Sequence, residues 1–445
     1  MEPLAWFATT PAGERLGKWA AQMVRQELTP LPLWFAPLEP LRWIVALVGD
    51  APHAKITGTI FATVALAIGL LVLWRCQRSW GLRLALAVLA ANNALLTLAG
   101  AQVAVMWLTT IVPFGTRWVA PEGAPFVLAN FHAHSHFSAG GVLSPAQLVL
   151  WHRHKGYRIV AVTDSNTVRG SLQASAFVHR WRGGVVVVPG EEFRGRTHLL
   201  LLGVRQDFAP HRFSVPEVIR AAKGAGGLVI AAHAWTGRYA YDDLRAWGVD
   251  GFEIVNSGAI ADKRLQRLCR KHQLIALGSL DFRSGNMPRV ATVLPAWATT
   301  PPKVLQALRR RHCAVLYDPH AVRTGYRWLA SRFEVIADLW ATGQTTSLCG
   351  FGLWGLVGWW LWRRRPRRST HIKVTPAQWW ATTVLQGVLC FAVAALGIWA
   401  MASNFKSGWF PPLSWVAGAW AIVCPVNWWL WTKTMRWELH TAAMR

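Results

Sequence analysis

Charged residues are scarce in this chain, and acidic residues are the scarcest of them. Only 15% of the 445 residues are charged, with 21 Asp and Glu against 47 Lys and Arg. Soluble proteins usually carry about a quarter charged residues, so the composition predicts that part of the chain lies in lipid. The net charge of +26 favours anionic partners such as phosphates or lipid headgroups. Nucleic acid is compatible with this charge but is not favoured, because no recognition helix, zinc finger or ribonucleoprotein motif is present.

Cysteine is also sparse, with six residues and no CxxC pair. This spacing argues against a zinc knuckle or a disulfide framework. Cys269 and Cys313 could pair in an oxidising compartment, but the sequence gives no geometry for such a bond.

Long apolar runs are present on both sides of the middle of the chain. A spanning helix needs about 20 apolar residues, and the runs at 57–74, 84–112, 345–362, 379–402 and 409–432 qualify. Segment 31–49 is a doubtful further span because it contains Glu39, Arg42 and several prolines. Residues 12–28 carry an amphipathic stripe, which predicts a helix on a membrane surface.

The short loops beside these runs are basic, and basic loops stay on the cytoplasmic side. They predict a multi-pass protein of a bacterial-type inner membrane, in contact with membrane lipids. Its predicted parts are an interfacial segment (1–56), two spans (57–112), an extracytoplasmic domain (113–330) and three spans (331–445).

The region between the spans alternates strand-like and helix-like segments. FVLANF (126–131), RIVAVTD (158–164) and GVVVVPG (184–190) are examples of the strand-like runs. These runs are almost continuously apolar, as expected of strands buried on both faces. The alternation predicts a parallel α/β sheet or barrel.

Polar residues follow the ends of these runs. His132, His134 and His136 occupy alternate positions after the first run, and alternate residues of a strand point to one face. The other positions of this kind are Asp164, Glu191, Glu192, His233, Glu253, Asn256 and Asp281. Because the carboxyl ends of barrel strands form the active site, the pattern predicts a metal site there.

The motifs HAHSHFSAGG, AVTDSNTVRG, VVPGEEF, THLLLLG, AAHAW, GFEIVNSG and GSLDF occur in this order between residues 126 and 320. In this order and spacing they resemble the polymerase and histidinol phosphatase (PHP) domain superfamily. The resemblance covers a little under half of the chain. It implies a distorted (β/α)7 barrel and a metal-dependent phosphoesterase, with two or three zinc, manganese or iron ions at the strand ends.

The resemblance also implies which residues bind the ions. His132, His134, Glu192 and Asp281 match the ligands of a first metal, and Glu192, His198 and His233 match those of a second. The ligands of a third metal are replaced by Ala139, Ser165 and Arg283. Because the losses fall on one site only, we predict two divalent ions (Zn, Mn or Fe), with Glu192, Asp281 and Arg283 as catalytic residues.

Several of these residues have alternative interpretations. Arg283 either stands in for the third cation and grips a phosphate, or is an ordinary salt-bridging arginine. His136 is predicted not to be a ligand, and Glu191 should point away from Glu192. His152, His154 and His179 lie on helix-like segments and are predicted to be surface residues.

Together these features predict a membrane-anchored hydrolase of phosphomonoesters or phosphodiesters. Its substrate would be a phosphorylated small molecule, a nucleotide or a lipid-linked phosphate. One alternative is a tethered sensor or scaffold that binds a metal or phosphoanion without turnover. The other is a transporter with an accessory domain, which the lack of ionisable residues in the predicted spans disfavours.

Overall fold

A computed structural model of the chain describes residues 4–28 and 54–75, and residues 116–319 apart from 142, 182 and 284–288. Between 80 and 95 and between 352 and 359 it describes scattered positions only. The chain divides into two compact units. The first consists of residues 1–52 and 107–350, and the second of residues 53–106 and 351–445.

The helices and strands alternate over most of the first unit. The helices are α1 (Pro11–Met23), α2 (Ala54–Arg75, in the second unit), α3 (Pro145–His154), α4 (Arg169–Trp181), α5 (Val215–Gly224), α6 (Tyr241–Ala246), α7 (Lys263–Lys271) and α8 (Pro301–Arg309), with a 3₁₀ turn at Ala234–Thr236. The strands are β1 (Ala5–Phe7), β2 (Arg25–Leu28), β3 (Thr116–Val119), β4 (Phe126–Asn130), β5 (Ile159–Ala161), β6 (Val186–Val188), β7 (Gly190–Arg194), β8 (His198–Leu202), β9 (Leu228–Ala232), β10 (Gly251–Asn256), β11 (Ala259–Ile260), β12 (Ile275–Ser279), β13 (Val290–Pro295) and β14 (Ala314–Tyr317).

The predicted multi-pass membrane architecture is wrong for the part of the chain that the structure describes. Helix α2 overlaps the predicted span 57–74, and its side chains are described from residue 62 onward. Within the described residues, no helix is both long enough and apolar enough to cross a membrane. Hydrophobicity alone does not specify a spanning helix, so composition misled the prediction. The predicted spans 31–49, 379–402 and 409–432 lie outside the described residues, as do most of 84–112 and 345–362.

The described strands form open sheets, so the predicted closed (β/α)7 barrel is also wrong. One sheet has the order β1-β14-β13-β4-β5-β6. A second has the order β11-β10-β9-β8-β7, with β12 also paired to β10. Strands β2 and β3 form a separate antiparallel pair.

Two local features interrupt the backbone hydrogen bonding that would join the two sheets into a closed barrel. Only Pro189 separates β6 from β7, and here the chain leaves the first sheet and enters the second; proline has no N–H to continue a ladder. Between β12 and β13, the hydroxyl of Thr292 bonds both the backbone N and O of Gly278, each at 3.0 Å. A side chain therefore occupies the place of a backbone ladder at that gap.

The sheets are mixed rather than parallel throughout. Strands β4, β5 and β6 pair in parallel, as do β9, β10 and β12. Strand β8 is antiparallel to β7, because residues 195–197 form a turn too short for a crossover. It is also antiparallel to β9. Strand β13 is antiparallel to β4 and β14.

The helices begin where the sequence provides a cap. Ser144 accepts from the backbone N of Gln147 and precedes Pro145, the first residue of α3. Asp262 accepts from the backbone N of Leu265 at the start of α7. Side-chain acceptors of this kind satisfy the free N–H groups of a first turn.

Apolar side chains from both sheets form one buried cluster. It includes Ala129, Ile159 and Val188 of the first sheet and Leu200, Ile230 and Leu277 of the second. Helix α8 contributes Val304, Ala307 and Leu308 to the same cluster. A second cluster lies on the other faces of the strands, against α1 and α3 to α7. Strands buried on both faces explain the continuous apolar runs in the sequence. Cys269 and Cys313 are buried in these cores, and each is free.

Candidate metal centre

His132 and His134 leave β4 in an extended conformation that points both rings the same way. The backbone N of Phe282 donates to the carbonyl of His132 (3.1 Å), and the N of His134 donates to the carbonyl of Phe282 (2.7 Å). Ala133 and Phe282 thus form a parallel bridge, and the residues on either side of Ala133 project to one side of it. The two Nε2 atoms lie 3.1 Å apart, and both residues are fully buried.

Glu192 lies on β7 and reaches the rings of both histidines. Its Oε1 is 3.5 Å from His132 Nε2, and its Oε2 is 3.4 Å from His134 Nε2. His198 begins β8, opposite Arg194 in the β7–β8 hairpin. Because β8 is antiparallel, its amino end lies at the centre, and His198 Nδ1 is 2.9 Å from Glu192 Oε1.

His233 and Asp281 follow two parallel strands, β9 and β12. Both have left-handed backbone conformations, with φ of +31° and +44°, which are uncommon for residues other than glycine and often mark functional sites. His233 Nε2 lies 3.3 Å from His198 Nδ1 and 3.7 Å from Glu192 Oε1. Asp281 Oδ1 lies 3.0 Å from His134 Nε2.

These side chains form two overlapping groups that could each hold a metal ion. In the described part of the chain, the groups are His132, Glu192 and His233, and His132, His134 and Asp281. Within each group the ligand atoms lie within 4.8 Å of one another. His198 is outside both groups, but it contacts Glu192 and His233 at their edge.

The buried oxygens of this centre fit a cation. Among the described residues, Glu192 Oε1 and Asp281 Oδ1 have no hydrogen-bond partner of good geometry, although imidazole nitrogens lie close by. Buried carboxylate oxygens without hydrogen bonds are rare in folded proteins. Imidazole and carboxylate are the ligands of zinc, iron and manganese, so the donor set matches the predicted ions.

The charges of the centre also favour a cation. Burial alone would raise the pKa of Glu192, but contacts with His132, His198 and His233 hold it well below its usual value. Burial likewise opposes the ionised form of Asp281, but His132 and Arg283 hold its pKa well below the usual range. Burial, aided by Arg283, lowers the pKa of His134 to about 4. Burial opposes the protonated form of His132, but Asp281 and Glu253 raise its pKa well above the usual value. Without a metal, the two carboxylates therefore face a protonated His132 as well as a neutral His134, and a bound cation would take the place of that proton.

Glu253, which the sequence placed at a strand end without a specific role, contacts His132. Its Oε1 lies 3.1 Å from His132 Nδ1, while Oε2 accepts from the backbone N of His233 (3.0 Å) and from Asn256 Nδ2 (2.8 Å). A carboxylate on the far nitrogen fixes the tautomer and orientation of a ligating histidine. The signal was present in GFEIVN, where Glu253 occupies a position in an otherwise apolar strand.

We expect Glu253→Gln to weaken divalent-metal binding by about 10- to 100-fold, because the amide holds the His132 ring less firmly. The measurement is competition for zinc or manganese against a chelator of known affinity, on the full chain. Glu14→Gln, at an exposed position of α1, is the control. Equal affinities in the two variants would show that Glu253 does not orient His132.

Asp164 and Ser138 support His134 in a similar way. Asp164 Oδ1 accepts from the Ser138 hydroxyl (2.7 Å) and from the Ser135 backbone N (2.7 Å). Ser138 Oγ then lies 3.0 Å from His134 Nδ1. Burial raises the pKa of Asp164 to about 6, against the hydrogen bonds of Ser135 and Ser138. Asp164 thus stabilises the loop after β5, and it also positions a predicted ligand.

Three residues that replace the ligands of a third metal lie around the centre: Ala139, Ser165 and Arg283. Arg283 Nη1 donates to the carbonyl of Ala139, and its Nη2 lies 3.4 Å from Asp281 Oδ1. The Ser165 hydroxyl lies 3.5 Å from Glu192 Oε2. A guanidinium, 27% exposed, therefore stands beside Asp281. This contact agrees with the salt-bridging interpretation and leaves the surface of Arg283 open to a ligand.

The remaining predicted residues separate into two kinds. His136 is exposed, and Glu191 points away from the centre and accepts from the backbone N of Phe208 (2.8 Å). The surface prediction for His152 is wrong, because the residue is fully buried. Its Nε2 lies 2.8 Å from Asn130 Nδ2, and its Nδ1 lies 2.8 Å from the carbonyl of Leu148. Its place in the polar run HRH (152–154) at the end of α3 concealed its burial.

Comparisons of the sequence with known proteins give remote matches. No family model matches the chain. A stretch of 141 residues is 28% identical to an uncharacterized protein of Methanocaldococcus jannaschii, and it covers 29% of this chain and 81% of that protein.

Solved structures with some similarity are hydrolases by their descriptions. One is a two-domain protein of Bacteroides vulgatus "containing predicted PHP-like metal-dependent phosphoesterase", with 16% identity, a TM-score of 0.38, and coverage of 47% of this chain and 69% of that chain. Another, from Bifidobacterium adolescentis, is described in similarly provisional terms as a metal-dependent phosphoesterase (19% identity, TM-score 0.32, coverage 41% and 96%). A third is an amidohydrolase of Chromobacterium violaceum with bound sulfate and no metal (17% identity, TM-score 0.30, coverage 46% and 96%). Similarity at this level establishes neither a shared activity nor a shared substrate.

Proposed function

We propose that this chain is a metal-dependent phosphoesterase that hydrolyses a phosphomonoester or phosphodiester and uses two divalent ions. The observation that carries the proposal is the buried carboxylate of Glu192, which lies within 3.7 Å of nitrogens of four histidines and belongs to one of the two candidate ligand groups. Such an arrangement has no evident role in stabilising the fold, because it leaves carboxylate oxygens buried without hydrogen bonds.

The proposed ligands are those that the PHP resemblance implies. His132, His134, Glu192 and Asp281 hold one ion, and Glu192, His198 and His233 hold the other. When bound, two such ions supply Lewis acidity and lower the pKa of water, which suits the displacement of a phosphate ester. Glu253 keeps the His132 ring oriented, and Ser138 does the same for His134. The protein would thereby hold the ligands of both ions in fixed orientations.

Two arginines border the centre and are suited to bind the phosphate. Arg283 reaches Asp281, and the Nε of Arg194 lies 3.4 Å from Glu192 Oε2. Guanidinium groups bind phosphate through two parallel hydrogen bonds. In this proposal Arg283 replaces the charge of a third ion and orients the ester.

We expect Arg283→Ala to raise the KM for a phosphoester by about 10- to 100-fold, the range of a lost charge-assisted hydrogen bond. Steady-state kinetics of the metal-loaded full chain measures this effect. Arg220→Ala, at an exposed position of α5, should leave the KM unchanged. If Arg283→Ala leaves the KM unchanged as well, Arg283 serves only as an ion pair to Asp281.

The direct test of the activity is a screen of the full chain with 4-nitrophenyl phosphate and bis(4-nitrophenyl) phosphate, in the presence of zinc, manganese or iron. The proposal expects turnover of at least one ester that depends on an added ion and disappears with a chelator. Tight metal binding without turnover of any phosphoester would contradict the proposed activity and would favour a binding role.

A further inference from the structure

A cavity of about 600 Å³ lies away from the metal centre, at the other end of β4. Two short stretches of chain form its walls: residues 117–128, from β3 to the start of β4, and residues 153–158, after α3. The two stretches approach closely at Gly156, which has a φ of +96°. A Cβ on Gly156 would lie 2.1 Å from the carbonyl oxygen of Trp118, so only glycine permits this approach.

The cavity is separate from the proposed catalytic site. Its wall includes Phe126, Val127 and Leu128 of β4, whereas His132 follows the opposite end of that strand. None of the residues proposed to hold metal lines the cavity. Any ligand bound there is therefore a second ligand and not the ester under hydrolysis.

Cations dominate the polar lining of the cavity. Three guanidinium groups, of Arg117, Arg153 and Arg158, line it together with His154 and a single acidic residue, Glu122. Arg117 has one ion pair, to Glu27 at 3.6 Å, and Arg153 lies over the ring of Trp181. Burial, with Lys155 and Arg117, lowers the pKa of His154; three guanidinium groups against one carboxylate make the local potential positive. An anion is the ligand that this potential favours.

Buried nitrogens around the cavity also have no acceptor. Among the described residues, Arg117 Nε and His154 Nε2 are buried without a hydrogen-bond partner. A buried polar atom without a partner costs about 1–3 kcal/mol. Unsatisfied nitrogens from two side chains at one cavity indicate that an acceptor-rich ligand completes the site.

The volume of the cavity and its apolar walls indicate the organic part of that ligand. Cavities of about 300–1,000 Å³ accommodate small organic molecules, and this one is far larger than a phosphate ion needs. Ala120, Pro121 and Phe126 supply apolar surface next to the arginines. A ligand with a charged oxyanion and an apolar or aromatic body matches both kinds of wall.

We propose that this cavity, defined by Arg117, Trp118, Arg153, His154 and Arg158, is a binding site for a small organic phosphate distinct from the metal centre. The phosphate oxygens accept from the arginines and from His154 Nε2, and the organic body lies against the apolar wall. The site does not depend on the proposed hydrolytic activity.

The test is calorimetric titration of the full chain with phenyl phosphate, in the presence of a chelator so that the metal centre does not contribute. We expect saturable binding of one molecule per chain. Arg153→Gln and Arg158→Gln, which change exposed residues and so leave the core intact, should each weaken it about 5-fold. Arg117→Gln should weaken it about 10-fold or more. Arg267→Gln, an exposed charge-matched control on α7, should bind as the unmodified chain does.

Three results would overturn the proposal. The first is the absence of saturable binding to the unmodified chain. The second is equal affinity in the unmodified chain and the three cavity variants. The third is loss of binding in Glu192→Gln, which would place the phosphate at the metal centre. Inorganic phosphate, titrated in parallel, should bind more weakly than phenyl phosphate; equal affinity would contradict the predicted contact of the organic body with the apolar wall.

Discussion

Replacing Glu192 with glutamine should remove most of the bound metal and reduce phosphoester hydrolysis by at least about a thousandfold. The carboxylate is fully buried and lies within 3.7 Å of nitrogens of four histidines, His132, His134, His198 and His233. In the proposed function it is the one ligand common to both ions. Glutamine has the same shape but lacks the charge, so the buried donor set loses a negative ligand that two dications require. Elemental mass spectrometry of the purified full chain should show a fall from two ions per chain to fewer than one.

The neighbouring residue provides a matched control. Glu191 is equally buried, but its side chain points to the opposite face of β7 and accepts from the backbone N of Phe208. Burial raises the pKa of Glu191 to about 8, so its side chain is largely protonated at neutral pH and glutamine is a mild replacement. Glu191→Gln should therefore keep both ions and most of the activity. Two ions retained in Glu192→Gln, or none in the folded unmodified chain, would contradict the proposed binuclear centre; the second result would favour a scaffold role.

The directions of His132, His134, Glu191 and Glu192 could be predicted because they depend on local backbone geometry, whereas the full ligand set came from the resemblance to the PHP superfamily. His132 and His134 are two residues apart, and the extended backbone around Ala133 directs both rings to one point. Glu191 and Glu192 are adjacent, and strand alternation separates them onto opposite faces. Period-two alternation is a short-range rule, and it holds wherever the chain is extended. The role of these residues as metal ligands stays a prediction, although the structure brings them together.

Features that depend on pairing between distant segments could not be predicted in the same way. Whether the sheet closes depends on how β6 meets β7 and how β12 meets β13, and there Pro189 and the Thr292 hydroxyl interrupt the backbone ladders. The apolar runs in the sequence are the same for a closed barrel and for two packed open sheets. Hydrophobicity alone likewise does not specify a spanning helix, which explains the incorrect membrane prediction. The role of Glu253 depends on a partner 121 residues away in the sequence.

A second large effect is expected from His152, which links helix α3 to the strand that precedes the metal centre. Its protonation should lower the free energy of unfolding at acidic pH. Asn130 Oδ1 accepts from the backbone N of Leu280 (2.9 Å), which directs its Nδ2 at His152 Nε2 (2.8 Å). His152 must then accept at Nε2 and donate from Nδ1 to Leu148. A second proton on the ring would face the amide N–H of Asn130 in a buried site. Burial accordingly lowers the pKa of His152 to about 4, against the favourable hydrogen bond to Leu148.

This lowered pKa predicts the direction and size of the change in stability. Between the unfolded pKa of about 6.5 and the folded value, the unfolded chain binds more protons, so the free energy of unfolding falls as the pH falls. The contribution of neutral His152 is complete above pH 6.5 and is lost by about pH 4, a change of about 3 kcal/mol. Asp164 acts in the opposite sense, because its raised pKa stabilises the folded chain as the pH falls through about 6. The pH profile of the unmodified chain therefore does not isolate His152, and a comparison of variants is needed.

The comparison is between the unmodified chain and His152→Gln, by urea unfolding of the metal-free full chain at pH 7 and at pH 4. At pH 7 the substitution should destabilise the chain by about 1–3 kcal/mol, because it disturbs two buried hydrogen bonds. At pH 4 this penalty should disappear or reverse, since glutamine does not titrate. His179→Gln, at an exposed position of α4, should show no such pH dependence. A penalty for His152→Gln that is equal at both pH values would mean that His152 titrates near its ordinary pKa, and that its contact with Asn130 does not hold the ring neutral.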